Sequence, residues 1–206
     1  MPAAQPGADL LPDVDLVLAS TSRYRAELLR RLTPAFRQVA PWVDESRRGD
    51  EAAEALAARL ALAKAEAVAA TNPHALVIGS DQVAAEGASV LGKPGSAAAA
   101  HAQLAACSGR EVRFLTALAL VDTRTVPWST ATALDVTRVQ FRPLDAAEIA
   151  RYVAREQPLD CAGSFKVEGL GISLFERVDS SDPSALVGLP LLALCRLLRA
   201  AGVSVP

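Results

Sequence analysis

A phosphate-binding segment is indicated near the start of the chain. An apolar run over residues 16–19 leads through three hydroxyl residues, Ser20 to Ser22, into a helical segment that carries Arg23 and Arg25. Ser20 or Ser22 can cap that helix, whose free N–H groups and positive dipole end favour an anion. Arginine adds fork-shaped donors that suit phosphate oxygens. The segment therefore predicts a phosphate site, with an ordinary capped helix as the alternative.

Acidic residues at two places could do chemistry on such a ligand. Asp81 follows the apolar run 75–79, which is typical of a buried strand. A carboxylate there is costly unless it has a partner or a role, and ligands of open α/β sheets gather beyond strand ends. Asp44 and Glu45 form an acidic pair in a predicted loop, where they could hold a divalent cation or be solvated surface charges. We predict a functional role for Asp81.

Two lysines are candidates for offsetting phosphate charge. Lys64 lies at the margin of the apolar stripe of a predicted helix, where a lysine usually extends to water. The stretch from Gly87 to Lys93 matches the G-x-x-x-x-G-K pattern, but Pro94 replaces the Ser/Thr whose hydroxyl would bind magnesium. This is not a P-loop, and Lys93 is left as a candidate point charge for phosphate.

The segment 160–169 mixes small, aromatic and charged residues around a predicted strand end. Phe165 could stack on a base, or it could belong to the core. Glu168 could accept hydrogen bonds from a purine, or it could be a turn acid beside Gly169.

Composition limits the classes of protein and partner. With 206 residues the chain suits a single domain over 14–206, preceded by a flexible Pro-, Ala- and Gly-rich tail over 1–13. A net charge of −2 argues against a nucleic-acid polymer, and no apolar run is long enough for a membrane span. Three widely spaced cysteines indicate buried reduced thiols and a cytoplasmic location, and the two histidines offer no zinc spacing.

Hydrophobic periodicity and turn residues predict a mixed α/β fold. The predicted helices cover 22–32, 50–71, 96–106, 145–155 and 191–201, and Asp182-Pro183 resembles a helix opener. The predicted strands cover 15–19, 36–40, 75–79, 111–122, 131–142 and 159–165, with a hairpin over 83–91. A break in the alternation after Val136 indicates a β-bulge in strand 131–142.

Seven short motifs in order resemble the Maf family of nucleoside triphosphate pyrophosphatases, over about residues 15–202. The motifs are Ser20-Thr21-Ser22-x-Tyr24-Arg25, Asp44-Glu45, Arg59-Leu60-Ala61-x-x-Lys64-Ala65, Gly79-Ser80-Asp81-Gln82-Val83, Gly92-Lys93-Pro94, Asp160-Cys161-Ala162-Gly163-Ser164-Phe165-Lys166 and Gly188-Leu189-Pro190-Leu191. Ser80-Asp81-Gln82, where the dTTP/UTP branch reads Ala-Asp-Thr, and the segment 162–169 are similar to the YceF-like branch, which acts on 7-methyl-GTP.

The resemblance implies a mixed twisted sheet flanked by helices, with two lobes around a central nucleotide cleft, as in Maf and ITPase folds. It implies a divalent cation (Mg, Mn or Co) and the removal of modified nucleotides by hydrolysis of 7-methyl-GTP to 7-methyl-GMP and diphosphate. We expect metal-assisted attack of water on the α-phosphorus. A dTTP/UTP pyrophosphatase and a non-catalytic nucleotide-sensing regulator are the alternatives. The expected partner is a small nucleotide, and a homodimer is left open.

The resemblance also assigns roles to residues of this chain. Asp81 corresponds to the catalytic proton acceptor. Arg25, Glu45, Lys64 and Lys93 match the family's polar active-site positions, of which Glu45, Lys64 and Lys93 are expected to be catalytic with Asp81. Tyr24, Gln82 and Glu168 match positions linked to substrate choice. We further expect Ser20, Ser22 and Arg25 to bind the substrate, and Glu45 and Asp81 to hold the metal. Arg23 stands where many members have Pro, and Tyr24 where this branch often has Trp, so phosphate affinity and base stacking are expected to differ from theirs.

Overall fold

The computed structural model describes residues 14–205; the tail predicted over residues 1–13 lies outside them. Across the described residues the chain forms seven strands and five α-helices. The strands are β1 (Leu16–Ala19), β2 (Arg37–Val39), β3 (Leu76–Glu86), β4 (Ser89–Leu91), β5 (Glu111–Asp122), β6 (Ser129–Phe141) and β7 (Phe175–Asp179). The helices are α1 (Arg23–Leu29), α2 (Ala53–Ala69), α3 (Ala97–Cys107), α4 (Ala146–Glu156) and α5 (Leu191–Ala200). Within residues 14–205 no helix combines the length and apolar character that a membrane crossing needs.

The described strands form one mixed sheet in the order β2-β1-β3-β5-β6-β7, and β4 pairs with β3 beside this path. β1 runs parallel to β2 and β3, whereas β3, β5, β6 and β7 pair antiparallel. This confirms the predicted mixed sheet flanked by helices.

Successive side chains of the long strands point to opposite faces of the sheet, and the buried apolar residues form three clusters on these two faces. One face of the sheet, with Val77 and Leu115, packs against α2. On the opposite face, one end of the sheet packs against α1 and α5 through residues such as Leu76 and Leu118. The other end of that face packs against α3 and α4 around Phe114. The two ends are the two expected lobes, and β3 and β5 run through both.

The sequence prediction placed Asp81 at the end of a strand, which is wrong. β3 continues to Glu86 because β5 pairs with it in unbroken register from Leu76 to Ala85. The other edge of β3 is paired with β1 over 76–79 and with β4 over 84–86. Residues 80–83 therefore lie in a gap between two partner strands, and Asp81 sits in that gap.

Residues 159–165 do not form the predicted strand. They contain a 3-10 turn over Ala162–Ser164, in which Gly163 and Ser164 have φ of 75° and 61°. These left-handed conformations are incompatible with a strand. Two contacts stabilise the turn. The buried Ser164 hydroxyl donates to Gln103, and the Phe165 ring packs edge-on against Phe114.

Three further predictions are corrected. The bulge expected after Val136 is absent from the β5–β6 ladder within the described residues, because the two faces of β6 meet different apolar clusters. The register shift in β6 comes later, between Gln140 and Phe141, where this strand pairs with β7. Asp182 begins no α-helix there; its carboxylate accepts from the backbone N–H of Ser184 and, at 2.7 Å, from that of Leu192 in α5. The three cysteines are free thiols, but only Cys107 is buried, and the other two are half-buried.

Candidate active site

A cleft of about 910 Å³ opens at the gap in the edge of β3. This volume lies within the usual range for small-molecule sites, which is roughly 300 to 1,000 Å³. Its walls include all ten of the site residues predicted from the sequence: Ser20, Ser22, Tyr24, Arg25, Glu45, Lys64, Asp81, Gln82, Lys93 and Glu168. The fold thus brings together side chains that are up to 148 positions apart in the chain, between Ser20 and Glu168.

Two carboxylates converge on one ammonium group at the centre of the cleft. Lys64 Nζ lies 2.6 Å from Asp81 Oδ1 and 2.7 Å from Glu45 Oε1. The lysine does not extend to water as a surface lysine would, because its side chain is only 7% exposed. The arrangement depends on Gly79, which lets α2 cross β3 so closely that a Cβ there would lie 2.2 Å from Ala61 O.

The two carboxylates differ in their affinity for a proton. Burial raises the pKa of Asp81 above its ordinary value, against the opposing charges of Lys64 and Arg25. Partial burial also acts to raise the pKa of Glu45, but the hydrogen bond and charge of Lys64, with Lys93 and Arg25, outweigh it and hold that pKa low. A buried carboxylate with a raised pKa is the better proton acceptor of the two.

Arg25 projects from the first turn of α1 and is anchored in the cleft wall by two hydrogen bonds. Its Nε donates to the carbonyl oxygen of Gly188 at 2.8 Å, and its Nη1 donates to Ser20 Oγ at 3.4 Å. Burial lowers the pKa of Arg25, and the charges of Asp81 and Glu45 oppose that effect. The guanidinium is therefore a fixed positive charge whose direction is set by two partners.

The hydroxyl groups of Ser20 and Ser22, which precede α1, bind backbone N–H groups at the start of this helix. Ser22 is the N-cap residue, and its side chain accepts from the Arg25 backbone N–H at 3.3 Å. Ser20 Oγ accepts from the Ser22 backbone N–H at 3.1 Å. These contacts confirm the predicted cap and orient the start of α1 toward the cleft.

The residues expected to govern substrate choice have different surroundings. The Tyr24 hydroxyl accepts from Arg23 Nη2 at 2.6 Å, and the Arg23 guanidinium lies over the Tyr24 ring at 4.6 Å. Gln82 Nε2 donates at 3.0 Å to Thr116 Oγ1 and to the carbonyls of Ala185 and Leu186. Through these carbonyl contacts Gln82 holds the 3-10 turn over Ala185–Val187. Glu168 lies exposed at the edge of the cleft.

Lys93 is exposed on the cleft wall next to β4, and its charge reaches Glu45. The ring of Phe165, which the sequence left open between base stacking and the core, is buried at 6% exposure. It makes edge-on contacts with Phe114, Phe141 and Phe175. Phe165 is therefore a core residue that forms the floor of this part of the cleft.

Three contributors to the site are not among the ten predicted site residues. The carbonyl oxygen of Gly188 accepts from Arg25 and, at 2.9 Å, from the Ser80 hydroxyl. Trp42 lies at the mouth of the cleft with 91% of its surface exposed. Arg59 binds the loop that carries Glu45. Gly188 and Arg59 lie inside the motifs noted above, whereas no sequence signal distinguishes Trp42.

Comparison of the sequence with known protein families agrees with the resemblance from which the residues of this cleft were predicted. The model of the family described as Maf-like protein matches residues 15–201. The chain belongs to the Maf family.

Close Maf relatives cover nearly the whole chain. A protein of Xanthomonas oryzae pv. oryzae named 7-methyl-GTP pyrophosphatase is 58% identical over 191 residues, which is 93% of this chain and 98% of the relative. Proteins with the same name from Chromohalobacter salexigens and Alkalilimnicola ehrlichii are 52% and 53% identical, each over 91% of this chain and over 96% and 93% of their own length.

A solved structure shows the same fold at much lower sequence similarity. The Ham1 protein of Staphylococcus aureus matches with a TM-score of 0.51 and 15% identity, over 91% of this Maf chain and 99% of the Ham1 chain. At this identity the match bears on the fold alone, and it agrees with the expected Maf/ITPase-like architecture.

Proposed function

We propose that this Maf protein hydrolyses 7-methyl-GTP to 7-methyl-GMP and diphosphate, and so removes modified nucleotides. The observation that carries the proposal is the convergence of Asp81 and Glu45 on Lys64 in a cleft that also holds Arg25 and Lys93. The names of the relatives support 7-methyl-GTP as the substrate. Three free thiols support the cytoplasm as the compartment.

Asp81 is the proposed proton acceptor. Lys64 holds its Oδ1, and within residues 14–205 no donor is hydrogen-bonded to its Oδ2, which leaves that oxygen for a water molecule in the cleft. The water oxygen bonds to the α-phosphorus, its proton passes to Asp81, and the bond from the α-phosphorus to the α–β bridging oxygen breaks. The electron pair of that bond leaves with diphosphate.

The cations of the cleft favour the leaving group over the intact substrate. Diphosphate gains negative charge as the bond breaks, and Arg25, Lys64 and Lys93 lie where they can offset it. Because Arg25 is held by Gly188 and Ser20, little reorganisation is needed when the charge develops.

The donor set fits a divalent cation of the Mg, Mn or Co type. Glu45 and Asp81 both contact the Lys64 ammonium, so their two carboxylates lie close enough together to hold one ion between them and the substrate phosphates. Within residues 14–205 no group of three or more His, Cys, Asp or Glu side chains could hold a metal without other ligands. Magnesium is commonly held by one or two carboxylates together with substrate phosphates. Such an ion would supply charge neutralisation of the triphosphate.

A substrate panel tests the proposal. The protein is incubated with 7-methyl-GTP, GTP, dTTP and UTP, with magnesium, manganese, cobalt or EDTA, and products are separated by chromatography. We expect 7-methyl-GMP and diphosphate to form fastest from 7-methyl-GTP, and EDTA to stop the reaction. Preferred cleavage of dTTP or UTP, release of orthophosphate, or binding without cleavage would each overturn it.

Trp42 provides an independent measurement of binding. The chain has two tryptophans, and Trp42 lies at the cleft whereas Trp128 is not among the cleft residues. We expect 7-methyl-GMP to quench the fluorescence of the wild type and of Trp128→Phe, because a cationic base stacks well on an indole. Trp42→Phe should lose the quenching. Full quenching in Trp42→Phe would show that the base does not reach this wall.

A further inference from the structure

The loop that carries Glu45 has no helix or strand between β2 and α2. The Glu45 side chain is 51% exposed, so its own packing does little to position the carboxylate. Its place next to Lys64 depends on how the loop is held, since an unrestrained loop would occupy many conformations.

Arg59 on α2 holds this loop through one guanidinium group. Its Nη2 donates to the carbonyl oxygen of Ser46 at 2.9 Å and to Glu51 Oε2 at 2.8 Å, and its Nε donates to Glu51 Oε1 at 2.8 Å. The bidentate pair is well protected, with side-chain exposures of 19% for Arg59 and 12% for Glu51. The hydrogen bond from Arg59 lowers the pKa of Glu51 to about 2.

The contacts of Ser46 transmit this restraint to the residues on either side of Glu45. The Ser46 backbone N–H and hydroxyl both donate to the Asp44 carboxylate at 2.9 Å. Asp44 and Ser46 flank Glu45, so the chain is fixed immediately before and after it. α2 therefore supplies both Lys64, the partner of the Glu45 carboxylate, and Arg59, the anchor of its backbone.

We propose that Arg59 is a positioning residue for the reaction, which acts by holding the Ser46 carbonyl and thereby placing Glu45. The inference rests on the proposed function for its kinetic effect. Arg59 touches neither Asp81 nor Lys64 in the hydrogen bonds and ion pairs of residues 14–205. A lysine would keep the charge but lose the planar fork that binds Glu51 and Ser46 together.

The alternative is that Arg59 only stabilises α2. Arg113 provides a matched control, because it pairs with Glu54 on the same helix at 2.7 Å but is not hydrogen-bonded to the loop over 44–51. Both variants, Arg59→Gln and Arg113→Gln, remove one arginine–glutamate pair from α2. Only the first releases the Ser46 carbonyl.

A double-mutant cycle with Glu45→Gln tests the proposal by kcat/KM for 7-methyl-GTP and by the magnesium concentration for half-maximal rate. We expect Arg59→Gln to lower kcat/KM by about 10- to 100-fold, as misplacement of a reacting group does. The double variant should be no worse than Glu45→Gln alone, because both changes remove the same placed carboxylate. Arg59→Lys should not restore the rate, and Arg113→Gln should stay near the wild type.

Two results would overturn the inference. One is an unchanged kcat/KM for Arg59→Gln, and the other is multiplicative losses in the double variant, which would show that Arg59 acts independently of Glu45. Hydrogen exchange of the amides over 44–51 checks the restraint without catalysis, and it should accelerate in Arg59→Gln but not in Arg113→Gln. A wild type inactive on 7-methyl-GTP would overturn the proposed function, and the exchange result would still decide whether Arg59 restrains the loop.

Discussion

Asp81→Asn is expected to lower kcat for 7-methyl-GTP by about 100-fold or more while the chain remains folded, because it removes the proton acceptor. The amide oxygen can still accept from Lys64, and Lys64 keeps its contact with Glu45 at 2.7 Å. Since burial raises the pKa of Asp81, the ionised carboxylate destabilises the folded state at neutral pH. The midpoint of thermal unfolding, Tm, should therefore stay unchanged or rise.

Asp122→Asn is the matched control for this prediction. Asp122 is also a buried acid on a neighbouring strand, but it lies outside the cleft. Hydrogen bonds from Arg124 hold its pKa below the ordinary value, so its charge stabilises the fold at neutral pH and that contribution is lost on acidification. We expect this variant to lower Tm and keep kcat. Diphosphate release and thermal unfolding measure both effects, and wild-type turnover in Asp81→Asn would exclude Asp81 as the acceptor.

Gly79→Val is expected to cost the most stability. Its Cβ would lie 2.2 Å from Ala61 O and 2.7 Å from the Ala65 backbone nitrogen, so α2 would have to move off the sheet. We expect a loss of about 3 kcal/mol in the free energy of unfolding, equivalent to a Tm lower by roughly 6 to 12 °C for a chain of this size. Lys64 precedes Ala65, so the same movement would draw its ammonium from Asp81 and reduce kcat/KM.

Gly92→Ala serves as the control for that substitution. A Cβ at Gly92 meets nothing within 4 Å, and its backbone does not require the left-handed region. Thermal unfolding should show a Tm close to that of the wild type. A Gly79→Val variant as stable as Gly92→Ala would show that α2 can accommodate the added side chain, contrary to the close crossing described above.

Much of the fold follows from local patterns, and the errors have a common cause. The helical spacing over 50–71 and the largely apolar run over 111–122 correspond to α2 and β5, because each pattern continues long enough to outweigh local exceptions. The end of β3 and the turn over Ala162–Ser164 were missed because distant partners decide them. Pairing with β5 carries β3 past Asp81, and the contact of Phe165 with other rings favours a turn over a strand.

The residues of the site divide in the same way, into those that local sequence patterns predict and those that depend on distant partners. Asp81 was identified from a carboxylate placed after an apolar run, and Ser22 from helix-capping preference. The partners of Lys64 could not be read from spacing, since Glu45 lies in a loop and Asp81 on a strand. The contact of Arg25 with Gly188 joins residues 163 positions apart, and no local pattern predicts it.

The continuity of β3 and β5 through both lobes limits how the cleft can admit a nucleotide. Ten consecutive residue pairs link these strands from Leu76–Asp122 to Ala85–Arg113, with none missing opposite the cleft. A swing of one lobe against the other would have to bend this ladder and break its hydrogen bonds. Entry and release therefore fall to the irregular segments that line the cleft, among them the loop over 40–52 and the segment 160–168, so substrate exchange should respond to changes in those segments more than to any change in the rigid sheet beneath them.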